Sequence, residues 1–371
     1  MEPLIIILYV FLFSYFGAIV IATLIYLKRA YQRFQKINHE DIINTVLIII
    51  LFLITIGILL GIITELVLDM DFTEDIAANS TVFYLMIVVF GIPLICSVIV
   101  VITNIIQYAR RSPKLLRYGS EMALKPEKKK YKSRIDVSRK FFHFLTFAIA
   151  AIYVLFMRAF ADNYSHNEFW GEFDGSEVVV RLGTDLPFPV VGGIIVCIFY
   201  GTIVVMLTIE TTRLSHHVHF PFHQSIQRTL RQEELNTFAT YTHMGVGFFF
   251  LSIFVPPNAF LASFSLFAIG DMMASFIGIR FGKHRYSWCD KSVEGTLAGF
   301  LSSFLISALF VGWSWGFALG VLFVILDLIT PSILKASDNL LIPVCSVILF
   351  FILSQLQILA AFPIFHYLFM I

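Results

Sequence analysis

The residues best suited to chemistry lie between positions 270 and 299. One stripe of small residues recurs there every four positions and consists of Gly270, Ala274, Gly278 and Gly282. Asp271 and Ser275 form the adjoining stripe of the same predicted helix, within an apolar sequence. Small residues at this spacing indicate close helix packing. A carboxylate in an apolar helix needs another explanation, and a Mg²⁺ ion that bridges phosphates would provide one.

A second polar group follows at the start of the next predicted helix. Lys291 and Ser292 precede Glu294, while Gly295 and Gly299 leave the helix backbone bare. Backbone N–H groups at a helix N-terminus form a phosphate site when a lysine stands beside them. The order of residues differs from a Walker A loop, in which the glycines precede the lysine. Glu294 is either a favourable charge at a helix N-terminus or a second Mg²⁺ ligand.

Three further clusters carry charges beside apolar runs. They are Arg139, Lys140 and His143; Glu210 to Arg213 with the histidines that follow; and Asp327 with Asp338 and Asn339. Each has an ordinary explanation: a membrane-end anchor with a packing histidine, an ion pair within a helix before a solvated loop, and a helix cap or turn. Because charges in a membrane are costly, a functional interpretation stays open for His143 and for the acidic residues.

The composition predicts an integral membrane protein. Of the 371 residues, 58% are hydrophobic and 14% are charged, and the mean hydropathy is +0.85. A soluble domain usually contains about 25% charged residues. The near balance of 26 basic and 25 acidic residues argues against a nucleic-acid-binding protein. The four cysteines show no CxxC or Cys/His spacing, so they support neither a disulfide framework nor a zinc site.

Hydropathy predicts an all-α, polytopic membrane bundle of about ten transmembrane helices. The predicted spans are 4–27, 46–68, 82–106, 141–157, 188–209, 244–255, 259–281, 293–311, 315–333 and 342–365. The sixth is short, and Pro256 and Pro257 indicate either a turn before the seventh or a kink in one long helix. Two regions are predicted: 1–138, with three spans and a basic loop, and 139–371, with the candidate site.

Basic residues orient these spans. Alternate loops contain 24 of the 26 Lys and Arg residues, namely 28–43, 108–140, 210–242, 280–293 and 331–341. Cytoplasmic loops accumulate such residues, so these loops are predicted to face the cytoplasm and 158–187 the lumen. The polar stretch 107–140 either lies along an anionic cytoplasmic leaflet or carries an ordinary positive-inside retention signal. All five polar clusters then lie at the cytoplasmic ends of helices, as a shared active site at one membrane face requires.

At these residues the chain resembles the superfamily of dolichol kinases, phytol kinases and CTP-dependent diacylglycerol kinases, which is related to polytopic phosphatidate cytidylyltransferases. The matching stretches, in the family's order, are RKFFH at 139–143, ETTR at 210–213, GDMMASFIGIRFGK at 270–283, KSVEGTLAG at 291–299 and SDNLLIP at 337–343. The first, fourth and fifth stretches are most similar to dolichol kinase. The first three spans have no matching motif.

The resemblance implies a lipid kinase that uses CTP and Mg²⁺, or another divalent cation. The acceptor that it implies is a polyprenol, with dolichol as the first choice, and the product would be dolichyl phosphate for protein glycosylation. The resemblance also implies a location in the endoplasmic reticulum membrane, with the active site on the cytoplasmic face. Diacylglycerol and phytol are alternative acceptors. A membrane transporter is the alternative from a different class, although the halves of the sequence show no repeat.

The resemblance also implies roles for individual residues. Asp271 is the first choice for a Mg²⁺ ligand, with Glu294 or Asp338 completing the site. His143 or a carboxylate would orient or deprotonate the alcohol. The remaining residues expected to contact nucleotide are Arg139, Lys140, Gly270, Ser275, Gly278, Gly282, Lys283, Lys291, Ser292, Gly295, Asp338 and Asn339, among which Lys291, Lys283 and Arg139 would neutralise phosphates.

Overall fold

A computed structural model gives the fold and describes residues 42–54, 140–141, 143–152, 199–210, 238–289, 291–330 and 337–356, with seven isolated positions between 57 and 106. Within these ranges the chain is helical, apart from short connections and an isolated β-bridge between Arg285 and Ser292. The predicted all-α architecture is confirmed for this part of the chain. The first predicted span lies outside the described residues, as do Arg139 and the segment 211–213.

Nine α-helices have described bounds, and a π-helical turn joins two of them. They are α1 Ile42–Ile54, α2 His143–Ile152, α3 Phe199–Glu210, α4 Thr240–Phe254, α5 Pro257–Ser265, the π-helical turn Leu266–Gly270, α6 Asp271–Phe281, α7 Val293–Val311, α8 Trp313–Ile329 and α9 Asp338–Gln355. Three described segments are long and apolar enough to cross a membrane: Pro257–Phe281, Val293–Val311 and Asp338–Gln355. They correspond to the seventh, eighth and tenth predicted spans. The number of ten is not confirmed.

The chain divides into two compact units, Met1–Asp136 with Cys197–Val246 and Val137–Val196 with Gly247–Ile371. In the first unit, the buried carboxylate of Glu210 accepts hydrogen bonds from the backbone N–H of Ala239, at 3.0 Å, and from the hydroxyl of Tyr241. Glu210 therefore provides an acceptor for an N–H group beside the start of α4, since the first N–H groups of a helix have no acceptor within the helix. The boundary predicted between 138 and 139 stays a prediction.

In the second unit, the chain turns back on itself between α4 and α5. The ring centroid of Phe248 lies 5.7 Å from that of Phe267 and 4.3 Å from that of Phe264. Along one straight helix, 19 residues would separate Phe248 from Phe267 by about 28 Å. The proline pair therefore marks the turn of a helical hairpin, and the alternative of one kinked helix is wrong.

A second hairpin joins α7 to α8. Its turn is Gly312, whose φ of 83° is accessible mainly to glycine. The helices then approach closely, because a Cβ atom on Gly316 would lie 2.7 Å from the backbone nitrogen of Ala308. The rings of Phe300 and Phe304 pack edge-on against Phe317 in the same hairpin. Helix α9 packs against α8 and α5, which leaves the start of α9 beside the end of α8.

Candidate functional site

Asp271 lies where the apolar helical segment Pro257–Phe281 changes its geometry. The π-helical turn Leu266–Gly270 ends at this residue, and the N–H of Asp271 donates to the carbonyl of Leu266. A π-helical turn shifts the helical phase by part of a turn and is often found at functional sites. The side chain of Asp271 is 17% exposed, so the carboxylate is largely enclosed but open to a ligand.

Lys140 joins Asp271 from a segment 131 residues earlier in the chain. Its Nζ donates to Asp271 Oδ1 at 3.0 Å, to the carbonyl oxygen of Asp271 at 2.9 Å and to the hydroxyl of Ser275. Asp271 and Ser275 are one helical turn apart, so they present two acceptors on one face, as their spacing predicted. The lysine side chain is 20% exposed. A basic residue that could have been a simple membrane anchor thus enters the site.

Lys291 forms the second ion pair, with a residue on α8. Its Nζ lies 2.6 Å from Asp327 Oδ1. The lysine side chain is 33% exposed, whereas Asp327 is 4% exposed. The other carboxylate oxygen, Asp327 Oδ2, is buried and has no hydrogen-bond partner among the described residues. The pair therefore has an open side formed by the lysine and a buried side formed by the aspartate.

Asp338 brings a third carboxylate to the same place, from the first turn of α9. Its Oδ1 accepts a hydrogen bond from the backbone N–H of the next residue, Asn339, at 2.8 Å, and the residue in the cap position of the helix is Ser337. Burial lowers the pKa of Lys291, but the charges of Asp327, Asp271 and Asp338 outweigh burial, so this pKa lies above its ordinary value. All three carboxylates therefore act on one ammonium group.

These residues form what we term the charged cluster: Lys140, Asp271, Lys291, Asp327 and Asp338. They come from five separate segments of the second unit, and formally they carry one more negative than positive charge. Such a set can bind a cation and anionic oxygens together, because ammonium groups and carboxylates stand side by side.

His143 adjoins this cluster through both packing and charge. Its ring centroid lies 4.3 Å from that of Phe267, in the π-helical turn. An electrostatic interaction also links His143 to Asp271. The structure therefore places His143 beside the candidate site, where it also packs as part of the helix interface.

Glu294 points to a different partner. Its carboxylate Oε1 lies 2.7 Å from Nδ1 of His284, and its oxygens accept the backbone N–H of His284 at 3.2 and 3.3 Å. Together with the bridge between Arg285 and Ser292, this contact closes the base of the loop that carries Lys291. The exposed Lys283 precedes this loop. The structure therefore does not join Glu294 to the carboxylates of the charged cluster.

The glycine stripe is used for helix packing. A Cβ atom on Gly278 or Gly282 would lie 3.0 or 2.6 Å from Ser292 Oγ, and one on Gly295 would lie 2.6 Å from the carbonyl oxygen of Ala274. On Gly270, a Cβ atom would lie 2.1 Å from Ser303 Oγ. The surface that was expected to admit phosphates is therefore covered by neighbouring helices. We term this contact between α6 and α7 the glycine seam.

The N-terminus of α7 is also satisfied from within the protein. The Ser292 side chain accepts from the N–H of Gly295 at 3.1 Å, and the Ser292 carbonyl accepts from Thr296 at 2.9 Å. The N–H of Val293 donates to the carbonyl of His284 at 2.9 Å. Of the N–H groups that a phosphate would use, those of Val293 and Gly295 are thus already bonded within the protein, and the phosphate site expected at Ser292 and Gly295 stays a prediction.

Sequence reasoning noticed Asp327 as an acid in an apolar run but gave it no role in the site. The sequence signal was the position of this acid within a predicted span. Its partner Lys291 lies 36 residues away, a separation that the spacing of residues does not reveal. In the described part of the chain, no group of three or more His, Cys, Asp or Glu side chains is arranged to hold a metal ion by itself. Of the two residues expected to complete a metal site with Asp271, Asp338 belongs to the charged cluster and Glu294 contacts His284 instead.

Comparison with known proteins finds similarity to a phytol kinase and a dolichol kinase over short stretches. The chain is 44% identical over 59 residues to a phytol kinase of Synechocystis sp., which is 15% of this chain and 25% of that protein. It is 60% identical over 37 residues to a dolichol kinase of Schizosaccharomyces pombe, which is 10% of this chain and 7% of that protein. An uncharacterized protein of Methanocaldococcus jannaschii is 36% identical over 93 residues, 25% of this chain and 46% of its own length.

These matches span from 7% to 46% of the relatives' lengths. No protein-family profile matches the chain, and no solved structure matches it. The short matches support a relation to dolichol and phytol kinases, which is consistent with an apolar helical protein that carries a charged cluster.

Proposed function

We propose that this protein is a membrane-embedded lipid kinase, which transfers the terminal phosphoryl group of a nucleoside triphosphate to the hydroxyl group of a lipid alcohol. The observation that carries the proposal is the charged cluster, in which two lysines and three aspartates from five segments meet in an apolar helical unit. The short similarities to a phytol kinase and a dolichol kinase point to the same activity.

The chemistry fits the residues of the cluster. Phosphoryl transfer depends mainly on positioning the reactants and on neutralising charge. Lys140 and Lys291 are each fixed by an aspartate yet remain partly exposed, so their ammonium groups can contact phosphate oxygens without a large loss of side-chain freedom. Arg139, outside the described residues, would add a third cation beside Lys140. His143 would orient or deprotonate the acceptor hydroxyl.

Mg²⁺ fits two of the carboxylates. This ion is commonly bound by one or two carboxylates together with phosphate oxygens and water, so it needs no cage of three protein ligands. Asp271 and Asp338 meet this requirement; among the described residues Asp338 forms no direct ion pair with a lysine, although the charge of Lys291 acts on it. When bound, Mg²⁺ would neutralise charge that develops on the phosphates.

CTP is our proposed donor and dolichol our proposed acceptor, with diacylglycerol and phytol as alternatives. The basis is the set of motifs between 139 and 343, of which RKFFH, KSVEGT and SDNLLIP are most similar to dolichol kinase. The product would then be dolichyl phosphate, at the cytoplasmic face of the endoplasmic reticulum membrane. The distribution of 24 of the 26 basic residues into alternate loops supports this orientation.

A transfer assay tests the proposal. Purified full-length protein is incubated with radiolabelled CTP or ATP and, separately, with dolichol, phytol and diacylglycerol. We expect label in the lipid fraction with CTP and dolichol, with loss of that label in Asp271→Asn. Label in phytol or diacylglycerol instead would identify that lipid as the acceptor and would refute dolichol. No label in any lipid, with protein shown to be folded, would refute the kinase.

A further inference from the structure

We propose that Asp327 is a positioning residue that holds the Lys291 ammonium group at the phosphate-binding side of the charged cluster. This inference rests on the proposed function and names a residue that the family resemblance did not assign. Asp327 would act only through Lys291 and would not contact nucleotide or lipid itself.

Burial separates the two partners into different roles. Asp327 is 4% exposed and lies near the end of α8, whereas Lys291 is 33% exposed and lies in the loop before α7. The contact of 2.6 Å is a charge-assisted hydrogen bond across 36 residues of sequence. A ligand can therefore reach the lysine from outside while the aspartate holds it from inside.

A purely structural role for the pair would be redundant. The α7–α8 hairpin is already fixed by the Gly312 turn, by the approach of Gly316 to Ala308 and by the packing of Phe317. A buried ion pair is often no more stabilising than apolar residues of similar size, because two charges must be desolvated. The second carboxylate oxygen of Asp327, Oδ2, is buried and has no hydrogen-bond partner in the part of the chain that the structure describes, which adds to that cost. An arrangement this costly is explained if the lysine must be held for a ligand.

The pairing also predicts the state of the lysine. Carboxylates of Asp327 on α8, Asp271 on α6 and Asp338 on α9 face Lys291 and keep its pKa above the ordinary value. The ammonium form is the one that phosphate oxygens require. Of these carboxylates, Asp327 is the one in direct hydrogen-bond contact with Nζ, so its charge should matter most.

A double-mutant cycle tests this role in the full-length protein. The variants are Asp327→Asn, Asp327→Glu, Lys291→Met and the double variant Asp327→Asn with Lys291→Met. The control is Ser346→Ala on α9, which removes a buried hydroxyl that has no hydrogen-bond partner within the described ranges. We expect Asp327→Asn to lower kcat by roughly 10–100-fold, as loss of an orienting partner commonly does, and Asp327→Glu to recover most of it. In the Lys291→Met background, Asp327→Asn should cost at most about 2-fold, since coupled residues are not additive.

Equal losses from Asp327→Asn in both backgrounds, or equal activity of the Asn and Glu variants, would overturn the positioning role. A second readout does not need kinase activity: the rate at which an amine reagent labels Lys291, followed by mass spectrometry. We expect labelling to accelerate several-fold in Asp327→Asn and to stay unchanged in Ser346→Ala. Unchanged labelling in Asp327→Asn would refute the pairing itself. A wild-type protein that phosphorylates no lipid would refute the proposed function, while labelling would still decide the pairing.

Discussion

The glycine seam and two residues of the charged cluster, Asp271 and Lys291, come from the same stretch of sequence, yet the seam and the cluster serve different purposes. Side chains of the cluster come from five segments and leave both lysines partly exposed. In the seam, a Cβ atom on Gly282 or Gly295 would lie 2.6 Å from atoms of the neighbouring segment. A regular small-residue stripe thus indicates helix contact, whereas charges that converge from distant segments indicate a site.

Lys291 and Glu294 repeat this contrast at three residues' distance. Lys291 turns to Asp327, inside the unit, and Glu294 turns to His284 at the exposed loop base. Residue type and spacing made Lys291 a candidate to bind phosphate and Glu294 a candidate to bind the metal. The partner of each residue, which only the packed structure supplies, separates them.

The largest effect is expected at Asp271, one of the two acids of the charged cluster that we propose for Mg²⁺. Asp271→Asn keeps the size of the side chain, and its amide oxygen can still accept the hydrogen bond from Lys140 that spans 3.0 Å. The charge that Mg²⁺ requires is lost, so we expect phosphoryl transfer to disappear while expression and membrane insertion stay normal. Near-normal transfer at saturating Mg²⁺, measured with radiolabelled nucleotide, would remove Asp271 from the metal site.

Lys291→Met should follow, with a loss of orders of magnitude in kcat, because a cation on transferring phosphates is worth more in the transition state than in the ground state. Lys283 provides the comparison, since it is exposed and outside the cluster. We expect Lys283→Met to cost a few-fold and Lys291→Arg to fall between the two, since a planar guanidinium does not replace a compact ammonium group. A greater loss at Lys283, on equal amounts of folded protein, would move the phosphate site to the end of α6.

Local signals predicted the helices better than they predicted the site. The span predicted from hydropathy at 293–311 agrees with α7, which Ser292 caps at its start and Gly312 ends. Helix α9 begins at Asp338, four residues before the predicted 342, because its first turn is polar and hydropathy does not detect it. Gln355 ends α9 in the structure, whereas the predicted span continued to 365, where the residues are not described.

Contacts between distant residues were beyond such signals. The proline pair allowed a kink or a turn, and the ring of Phe248 against that of Phe267 decided between them. Likewise, the sequence identified Asp327 as an acid in an apolar run but could not show that Lys291 neutralises it. Pairing across 36 residues depends on the register of the α7–α8 hairpin, which depends in turn on Gly312, Gly316 and Ala308.

Gly270→Ala tests whether the stripe serves packing or ligand binding. Its Cβ would lie 2.1 Å from Ser303 Oγ and 3.2 Å from a ring carbon of Phe323. We expect the free energy of unfolding to fall by about 1–3 kcal/mol, as in other overpacked cores, with little change in turnover per folded molecule. Ser303→Ala should restore part of that stability in the double variant, because it removes the closest atom.

Loss of turnover at unchanged stability would instead indicate that Gly270 faces a ligand. Thermal unfolding in detergent and the transfer assay, performed on the same samples, separate these outcomes. Ser303→Ala alone should be neutral or slightly stabilising, because its buried hydroxyl has no hydrogen-bond partner among the described residues.

The smallest effect is expected at Glu294, the acid considered for Mg²⁺ that lies outside the charged cluster. Its partner His284 has a side chain that is 80% exposed, and Glu294 itself is 28% exposed, so water screens their attraction and the pair contributes little. Glu294→Gln keeps an oxygen that can accept the backbone N–H of His284, so the loop base should stay closed. We therefore expect turnover within about 3-fold of the wild type and the same dependence on Mg²⁺ concentration, because the metal site at Asp271 does not include this carboxylate. A rise of about 10-fold or more in the Mg²⁺ concentration needed for half-maximal transfer would contradict this expectation. Glu294 would then leave His284 and bind the metal when nucleotide binds. The contrast between Glu294 and the charged cluster would in that case hold only for the free protein.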